Sequence, residues 1–465
     1  MNMINVRRLA VMTFLGAGML SDISAQDFSL QADTLNEARL PAQWDLQSCI
    51  DYALEQNITI RKNRVTAEST QIDVKTAKAA LFPSLSFSTS QQVVNRPYQE
   101  TSSRVSGSEI ISSNSKTSYN GNYGLNASWT IYNGSKRLKT LKQERLNNQV
   151  AELDIATSEN TIKESIAQIY IQILYAAESV RVNENTLQVS IAQRDRGQEL
   201  LNAGSIAKSD FAQLETQVST DRYQLVTAQA TLQDYKLQLK QLLELDGENE
   251  MNVYLPNLSD ENVLAPLPAK KDVYVSALTI RPEIEASKLN VEASELGIDI
   301  AKSSYFPTVS LSAGIGTNHT SGSDFTFGEQ VKNGWNNSIG LSVSVPIFNN
   351  RQTKSAVQKA RLQRETNMLS LLDEQKALYK TIESLWLDAN SAQQRYAAAN
   401  EKLRSTQISY DLISEQFNLG MKNTVELLTE KNNLLQAQQE QLQAKYMAIL
   451  NTQLLKFYQG DKLTL

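Results

Sequence analysis

One cysteine and one histidine among 465 residues exclude an intrachain disulfide framework, a His/Cys metal cluster and any catalytic site built on two histidines. The single histidine, His319, sits among Gly, Ser, Thr and Asn and reads as a solvent-exposed loop residue. Cys49 falls beside Leu46, Ile50, Ala53 and Leu54 at helical spacing and reads as a buried thiol. Net charge is also lacking: 45 basic side chains against 50 acidic ones give −5, so no basic field points to nucleic acid. No stretch approaches 18 consecutive apolar residues, which excludes an ordinary transmembrane helix. A nucleophile, base and orienting acid are nowhere grouped, and neither an enzyme nor a cofactor is expected.

What is present is unevenly placed. Arg7 and Arg8 precede an apolar run from Leu9 to Leu20, and Ser24 and Ala25 precede Gln26. This pattern predicts a signal peptide over 1–25 and an exported protein, since a run of about 12 residues is too short to span a bilayer. No cysteine ends the run, so lipid attachment there is not expected.

Four windows contain no Asp, Glu, Lys or Arg: 79–95, 117–135, 303–323 and 333–350. Together they hold about 75 residues, in which the overall 20% would place about 15 charges. Each alternates with period two. Tyr119, Gly121, Tyr123, Leu125, Ala127, Trp129 and Ile131 share one face, and Asn120, Asn122, Gly124, Asn126, Ser128 and Thr130 the other. Leu85 and Phe87 repeat the apolar face in the first window, Val309, Leu311, Ala313 and Ile315 in the third, and Ile339, Leu341, Val343, Val345 and Ile347 in the fourth. A soluble half-buried strand carries charge on its wet face. A small, polar, uncharged face opposite an apolar one is the pattern of a transmembrane β-strand. Phe82, Tyr119, Trp129, Tyr132, Phe306, Trp335 and Phe348 lie near the window ends, where an aromatic girdle is expected. Four strands cannot close a barrel and open edges are not tolerated in lipid, so the chain must oligomerise.

The chain is also a duplication. Ala77 to Ser86, containing Phe82-Pro83, matches Ala301 to Ser310, containing Phe306-Pro307, at an offset of about 224. Gly124-Leu125, Ile131-Tyr132-Asn133, Asn202, Gly204 and Asp210 match Gly340-Leu341, Ile347-Phe348-Asn349, Asn418, Gly420 and Glu426 at an offset of about 216. The stretch after Gln91 is thus about eight residues longer than its counterpart after Asn318, as outward-facing loops vary. The predicted organisation is a first repeat over 26–246, a Pro-rich linker over 247–270 and a second repeat over 271–465. Each repeat has a helix, a strand pair (81–95 and 117–132; 306–318 and 335–348), a long helix (about 135–202; about 351–418) and a further helix (about 208–245; about 424–458). Between Asn133 and Gly204 there is no proline, which allows a helix about 100 Å long. After Gly204, Phe211, Val218, Leu225, Leu232 and Leu239 recur every seven residues, interleaved with Leu214, Ala228, Tyr235 and Leu242. Leu428, Leu435, Leu442 and Ile449 do the same, giving two antiparallel coiled-coil hairpins.

This arrangement, with the Phe-Pro lead-in to each odd strand and an acidic residue six positions after each turn glycine, resembles the TolC-type outer-membrane efflux family. The segment Trp44-Asp45-Leu46-Gln47-Ser48-Cys49-Ile50-Asp51-Tyr52-Ala53-Leu54-Glu55-Gln56-Asn57 is similar to that family's first helix. The resemblance covers about residues 44–460. It implies an α+β membrane protein: a homotrimer forming a 12-stranded barrel in the outer membrane, continuous with a long α-helical coiled-coil barrel in the periplasm. It further implies a passive exit duct working with a periplasmic adaptor and an inner-membrane pump. In such proteins the turns between the long helix and its partner are the periplasmic gate and adaptor-docking tips, here Asn202 to Ser205 around Gly204 and Asn418 to Met421 around Gly420. Asp210, Glu426 and Lys422 match the family's acidic and basic tip positions, implying a ring of Glu426 and links from Asp210 to Lys422. A second tip acid of the family corresponds to Thr429, for which Glu430 is the nearby substitute. The same residues also suit a purely structural reading, with glycines for left-handed turns and acids at helix starts. A periplasmic coiled coil or adaptor without a channel is the competing function, and it predicts no membrane strands.

Overall fold

The computed structural model describes residues 41–98, 102–106, 109–113, 116–245, 251–256, 263–321, 323 and 325–464. The expected signal peptide and part of the linker lie outside the described residues. In one small unit Trp44 forms a parallel bridge to Val253, with Trp44 N–H donating to Asn252 O at 2.8 Å and Tyr254 N–H to Trp44 O at 2.9 Å. Everything below concerns the large unit.

Helix α1 (Leu46–Gln56) starts where the Asp45 carboxylate accepts from Ser48 N–H at 2.7 Å, and it buries Leu46, Cys49, Ile50 and Ala53 on one face. Burial pushes the Cys49 thiol up to about 12. Asn57 ends α1 and caps α2 (Ile58–Ala79), accepting from Thr59 N–H at 2.9 Å while its amide donates to Leu242 O at 3.1 Å. Strands β1 (Ser84–Asn95) and β4 (Thr117–Asn133) follow, with a hairpin of β2 (Ser102–Ser106) and β3 (Glu109–Ser113) between them. Pro83 at the lead-in cannot continue a helix, and Pro307 has the same place before the strand that starts at Thr308. Next come α3 (Lys136–Asn202), α4 (Lys208–Leu242), α5 (Lys270–Ile280) and α6 (Pro282–Ser303). The second repeat continues with β5 (Thr308–Thr320), α7 (Phe327–Asn333), β6 (Asn336–Ser344), α8 (Gln352–Asn418) and α9 (Thr424–Gln459). At 67 residues each, α3 and α8 are about 100 Å long.

The four long strands form one antiparallel sheet in the order β1-β4-β5-β6. Directly opposed residues share a face, and the register opposes Phe87 to Leu125, Leu125 to Ile315, and Leu311 to Leu341. The odd-numbered apolar residues from Leu85 and Phe87 through Leu125 and Trp129 to Val309, Leu311, Ile315, Ile339, Leu341 and Val343 therefore lie on one face. Val345 and Ile347, expected in the fourth strand, fall after its end at Ser344. A bulge after Thr130 sets Tyr132 opposite Val309, so Tyr132 takes the apolar register that Ile131 would have held. The apolar face is uncovered: Leu85, Phe87, Ile339 and Leu341 are all exposed, Ile339 at 84%. The outer edges of β1 and β6 have no partner strand among the described residues.

His319 is not the loop residue the sequence led us to expect. It lies in β5 opposite Gly121, with its ring 5.1 Å from Tyr119, 6.0 Å from Tyr123 and 4.9 Å from Phe327. Gly121 makes this placement feasible, because a Cβ there would meet the imidazole at 2.3 Å. The ladder extends into Thr, Asn and His because its hydrogen bonds need no apolar side chain.

Each long helix is entered through two left-handed residues, Gly134 and Ser135 before α3 and Asn350 and Arg351 before α8. Gly134 has a second constraint, since a Cβ would lie 2.7 Å from the Ser303 carbonyl oxygen. Near mid-length the second repeat has a core of Val273, Ala277, Ile284, Leu378, Ile382, Ala389, Leu455 and Tyr458. Beside it, buried Arg281 donates to Glu164 at 2.7 Å and Glu283 at 2.9 Å, and its guanidinium lies 3.9 Å from the Tyr458 ring centroid. Pro282 follows at the first position of α6, where its missing N–H is no loss.

Candidate functional site

The two turns singled out from the sequence are built alike in backbone. At the end of α3, Gly204 N–H donates to Leu201 O at 3.0 Å and Ser205 N–H to Leu200 O at 2.8 Å. At the end of α8, Gly420 N–H donates to Phe417 O at 2.9 Å and Met421 N–H to Gln416 O at 2.8 Å. Both glycines have positive φ, +76° and +73°, and neither would bring a Cβ within 4 Å of anything. Conformation, not space, calls for glycine at both.

The side chains differ. Asn423 caps α9, accepting from Glu426 N–H at 2.9 Å, and Glu426 reaches back to accept from Asn423 N–H at 3.2 Å. Lys422 adds an ion pair to Glu426 at 2.5 Å, one helical turn apart. The Lys422 hydrogen bond, followed by the Asn423 backbone, holds the Glu426 carboxyl below its ordinary range. In the first turn Ala207 stands where Asn423 stands in the second, so the cap has no side-chain acceptor. Asp210 alone reaches back, accepting from Ala207 N–H at 3.3 Å. Ile206 replaces Lys422, and its methyl group approaches Gly197, against which Leu214 packs.

Within one chain the structure does not bring Asp210 to Lys422. Each is committed locally, Asp210 to its own helix start and Lys422 to Glu426. Thr429, in the place of a second acid, turns its hydroxyl to Val425 O at 2.8 Å. Glu430 does not stand in for it, because its carboxylate accepts from Ser409 of α8 at 3.1 Å and from Asn433 at 3.4 Å.

A further cluster escaped the sequence reading. Further along the hairpins, Lys431 of α9 donates to Asp221 of α4 and to Ser190 of α3, and Ser190 also bonds to Asp221. All three are at least 96% buried. Gln217 completes the shell, donating to Asp221 Oδ1 at 2.9 Å and to Asn432 Oδ1 at 3.3 Å. Burial lowers the Lys431 amine from its usual range, and Asp221 opposes the shift. The signal was available: Asp221 occupies the missing place between Leu214 and Ala228 in the heptad series, and Lys431 lies three residues after Leu428 and four before Leu435. A charge at a coiled-coil core position demands a partner.

Among the described residues no group of three or more His, Cys, Asp or Glu could hold a metal ion, and no helix is long and apolar enough to cross a membrane.

Comparison with known proteins agrees with this architecture. The family described as outer membrane efflux protein matches residues 49–244 and 273–460. The outer membrane efflux protein BepC of Brucella suis is 24% identical over 294 residues, covering 63% of this chain and 61% of that protein. The outer membrane protein TolC of Escherichia coli is 24% identical over 341 residues, covering 70% of this chain and 66% of that protein. The chain thus spans just under two thirds of the length of these two relatives. Among solved structures, CusC superimposes with a TM-score of 0.77 at 18% identity, over 91% of this chain and 94% of that one, which shows a shared fold.

Proposed function

Because the chain belongs to the outer membrane efflux protein family, we propose that it is the outer-membrane channel-tunnel of a tripartite efflux or type I-like secretion system. It serves as a passive exit duct for small molecules, with no chemistry of its own. The observation that carries this reading is the sheet: four strands with an exposed apolar face, no charge within the strand windows and two open edges, on the same chain as two 67-residue helices. In a homotrimer, β1 of each chain pairs with β6 of its neighbour and the three sheets close into a 12-stranded barrel in the outer membrane. The helices continue it as a periplasmic tunnel. An inner-membrane pump supplies the energy, and a periplasmic adaptor docks on the turns around Gly204 and Gly420.

Asp210, Lys422 and Glu426 belong to the gate at those turns. With Asp210 and Lys422 engaged within the chain, closure of the tunnel rests on the approach of three like tips, and three Glu426 carboxylates there favour cations. Two measurements test the proposal. The protein is expected in outer-membrane fractions, extractable by detergent as a heat-modifiable trimer that forms channels in planar bilayers; soluble behaviour without detergent would refute the duct. Glu426→Gln is expected to lower cation preference or conductance, and an unchanged channel removes Glu426 from the gate.

A further inference from the structure

At the end of the sheet away from the long helices, the apolar face changes character. Beyond Ile315 and Leu125 the same face carries Thr317, His319, Tyr123 and Tyr119, and the Tyr119 hydroxyl donates to Gln91 Oε1 at 2.5 Å. Helix α7 is fastened onto this end. Thr317 Oγ1 donates to Val331 O at 2.7 Å, Thr320 N–H donates to Gln330 Oε1 at 2.8 Å, and Phe327 meets the His319 ring edge-on at 4.9 Å. Thr317 and His319 are odd-numbered and in register with Leu311, Ala313 and Ile315, so α7 lies over the face that the strands turn to lipid, not over the lumen face. Its start is fixed by Thr326 and Glu329, each accepting from the other's backbone N–H. Around it three large aromatics are left in the open: Phe325 at 57% exposure, Phe327 at 44% and Trp335 at 57%. Glu329 and Lys332 are exposed beside them.

We propose that α7 is an interfacial helix, seated at the boundary between headgroups and acyl chains in the outer leaflet of the outer membrane, with Phe325, Phe327 and Trp335 in lipid. The surface is continuous with the lipid face of β5 and β6, and the switch from aliphatic to Tyr, His and Thr side chains marks the depth at which lipid gives way to headgroups. Aromatic rings suit that boundary because a flat apolar body can be buried while ring edges and neighbouring polar groups stay wet. The second surface loop then acts as a collar, fixing how deep the barrel sits. The inference rests on the membrane placement of the sheet.

Spin labels on single cysteines test it in the full-length protein, reconstituted into vesicles of phosphatidylethanolamine and phosphatidylglycerol. Cys49 is buried with its thiol pushed up to about 12, so it stays unlabelled. At Phe325→Cys, Phe327→Cys and Trp335→Cys, collisions with oxygen are expected to exceed those with a water-soluble nickel chelate. A dominance of nickel at these positions overturns the proposal, as does strong dipolar broadening, which would put a second copy on the patch. Leu341→Cys on β6 separates the two readings. If it is oxygen-accessible while the α7 positions are not, only the interfacial helix fails; if it too is nickel-accessible, the membrane sheet fails with it. Should a labelled variant not reconstitute, quenching by brominated lipid gives the second measure. The quenched fluorescence is expected to fall in Trp335→Phe relative to the native chain, and no difference counts against the helix.

Discussion

The two hairpin tips share a backbone and differ in what stabilises it. Both end their long helix with a left-handed glycine, Gly204 or Gly420, and the same pair of carbonyl caps. Past the glycine, the first tip has Ile206 and Ala207, held by packing near Gly197 and Leu214, and the second has Lys422 and Asn423, held by a cap and an ion pair to Glu426. Duplication kept the turn, where geometry permits little else, and left the side chains free to diverge into an apolar tip and an ionic one. The divergence continues up the hairpins: Lys431 of the second reaches into the first, whereas Glu215, the corresponding residue of the first, is exposed.

That reach is the asymmetry with most energy in it, so breaking it should have the largest effect. Lys431→Ala leaves Asp221 buried without its counter-charge, and removal of one member of a buried pair costs about 3–5 kcal/mol. Thermal unfolding in detergent, followed by the helical circular dichroism signal, is the measurement. The double variant Asp221→Leu with Lys431→Met, which takes both charges away, should recover most of the loss. Glu215→Ala in the first hairpin should change little. If Lys431→Ala melts like the native protein, the pair does not join the hairpins.

Next in size is the backbone that the tips share. Gly204→Ala and Gly420→Ala force a side chain into the left-handed region at a cost of about 1–2 kcal/mol, and since both sites are open the two penalties should be equal. Gly134→Ala, where the same φ penalty adds to a 2.7 Å approach to the Ser303 carbonyl, should exceed either. Unequal losses at the two tips would mean that the matching caps conceal different local strain, to be seen as different loss of amide-exchange protection in the two turns.

The strands were legible because two independent signals coincide in them, an absence of charge and a period of two; either alone would have been weak. The tips were legible because the repeat offset aligned Gly204 with Gly420 and Asp210 with Glu426 before any geometry was known. Spacing could not tell what those acids touch. Asp210 and Glu426 fold back on their own helix starts through contacts three residues long, and Lys422 joins Glu426 rather than Asp210 because a neighbour one turn away is always within reach. The Lys431 cluster spans 241 residues of sequence, from Ser190 to Lys431, so only the misplaced charge in the heptad hints at it. His319 is illegible for a different reason: a polar stretch at a strand end looks like a loop, and nothing in the spacing shows that the missing side chain of Gly121 makes room for an imidazole on the neighbouring strand.

The caps give a smaller, reciprocal pair of changes. Asn423→Ala removes a side-chain acceptor from the start of α9 and should cost about 1 kcal/mol. Ala207→Asn supplies one at the start of α4, where Asp210 already reaches back, and should stabilise that tip by a similar amount. Amide exchange of 203–211 and 419–427 would show the two tips moving toward each other in protection. If Ala207→Asn gains nothing, the packing of Ile206 holds the first turn in a geometry that an added cap cannot use.

Acid should separate the tips by the least, because Lys422 and Glu426 are half-exposed and their ion pair is screened by solvent. The folded state holds the Glu426 carboxyl below its ordinary value of 4.5, chiefly through Lys422. A depressed carboxyl contributes stability above its unfolded pKa and loses it as the pH falls through the folded one, so the contribution is intact at neutral pH and fades below about 4.5. Exchange protection of 419–427, corrected for intrinsic rate, should therefore drop on acidification more than that of 203–211, whose place for Lys422 is taken by Ile206. Lys422→Met should abolish most of the difference by removing the first cause of the shift while keeping the stem that covers the turn. Equal loss at both tips in the native chain would show that acid acts on the hairpins as a whole, and that the ionic tip owes its order to the Asn423 cap and the glycine rather than to charge.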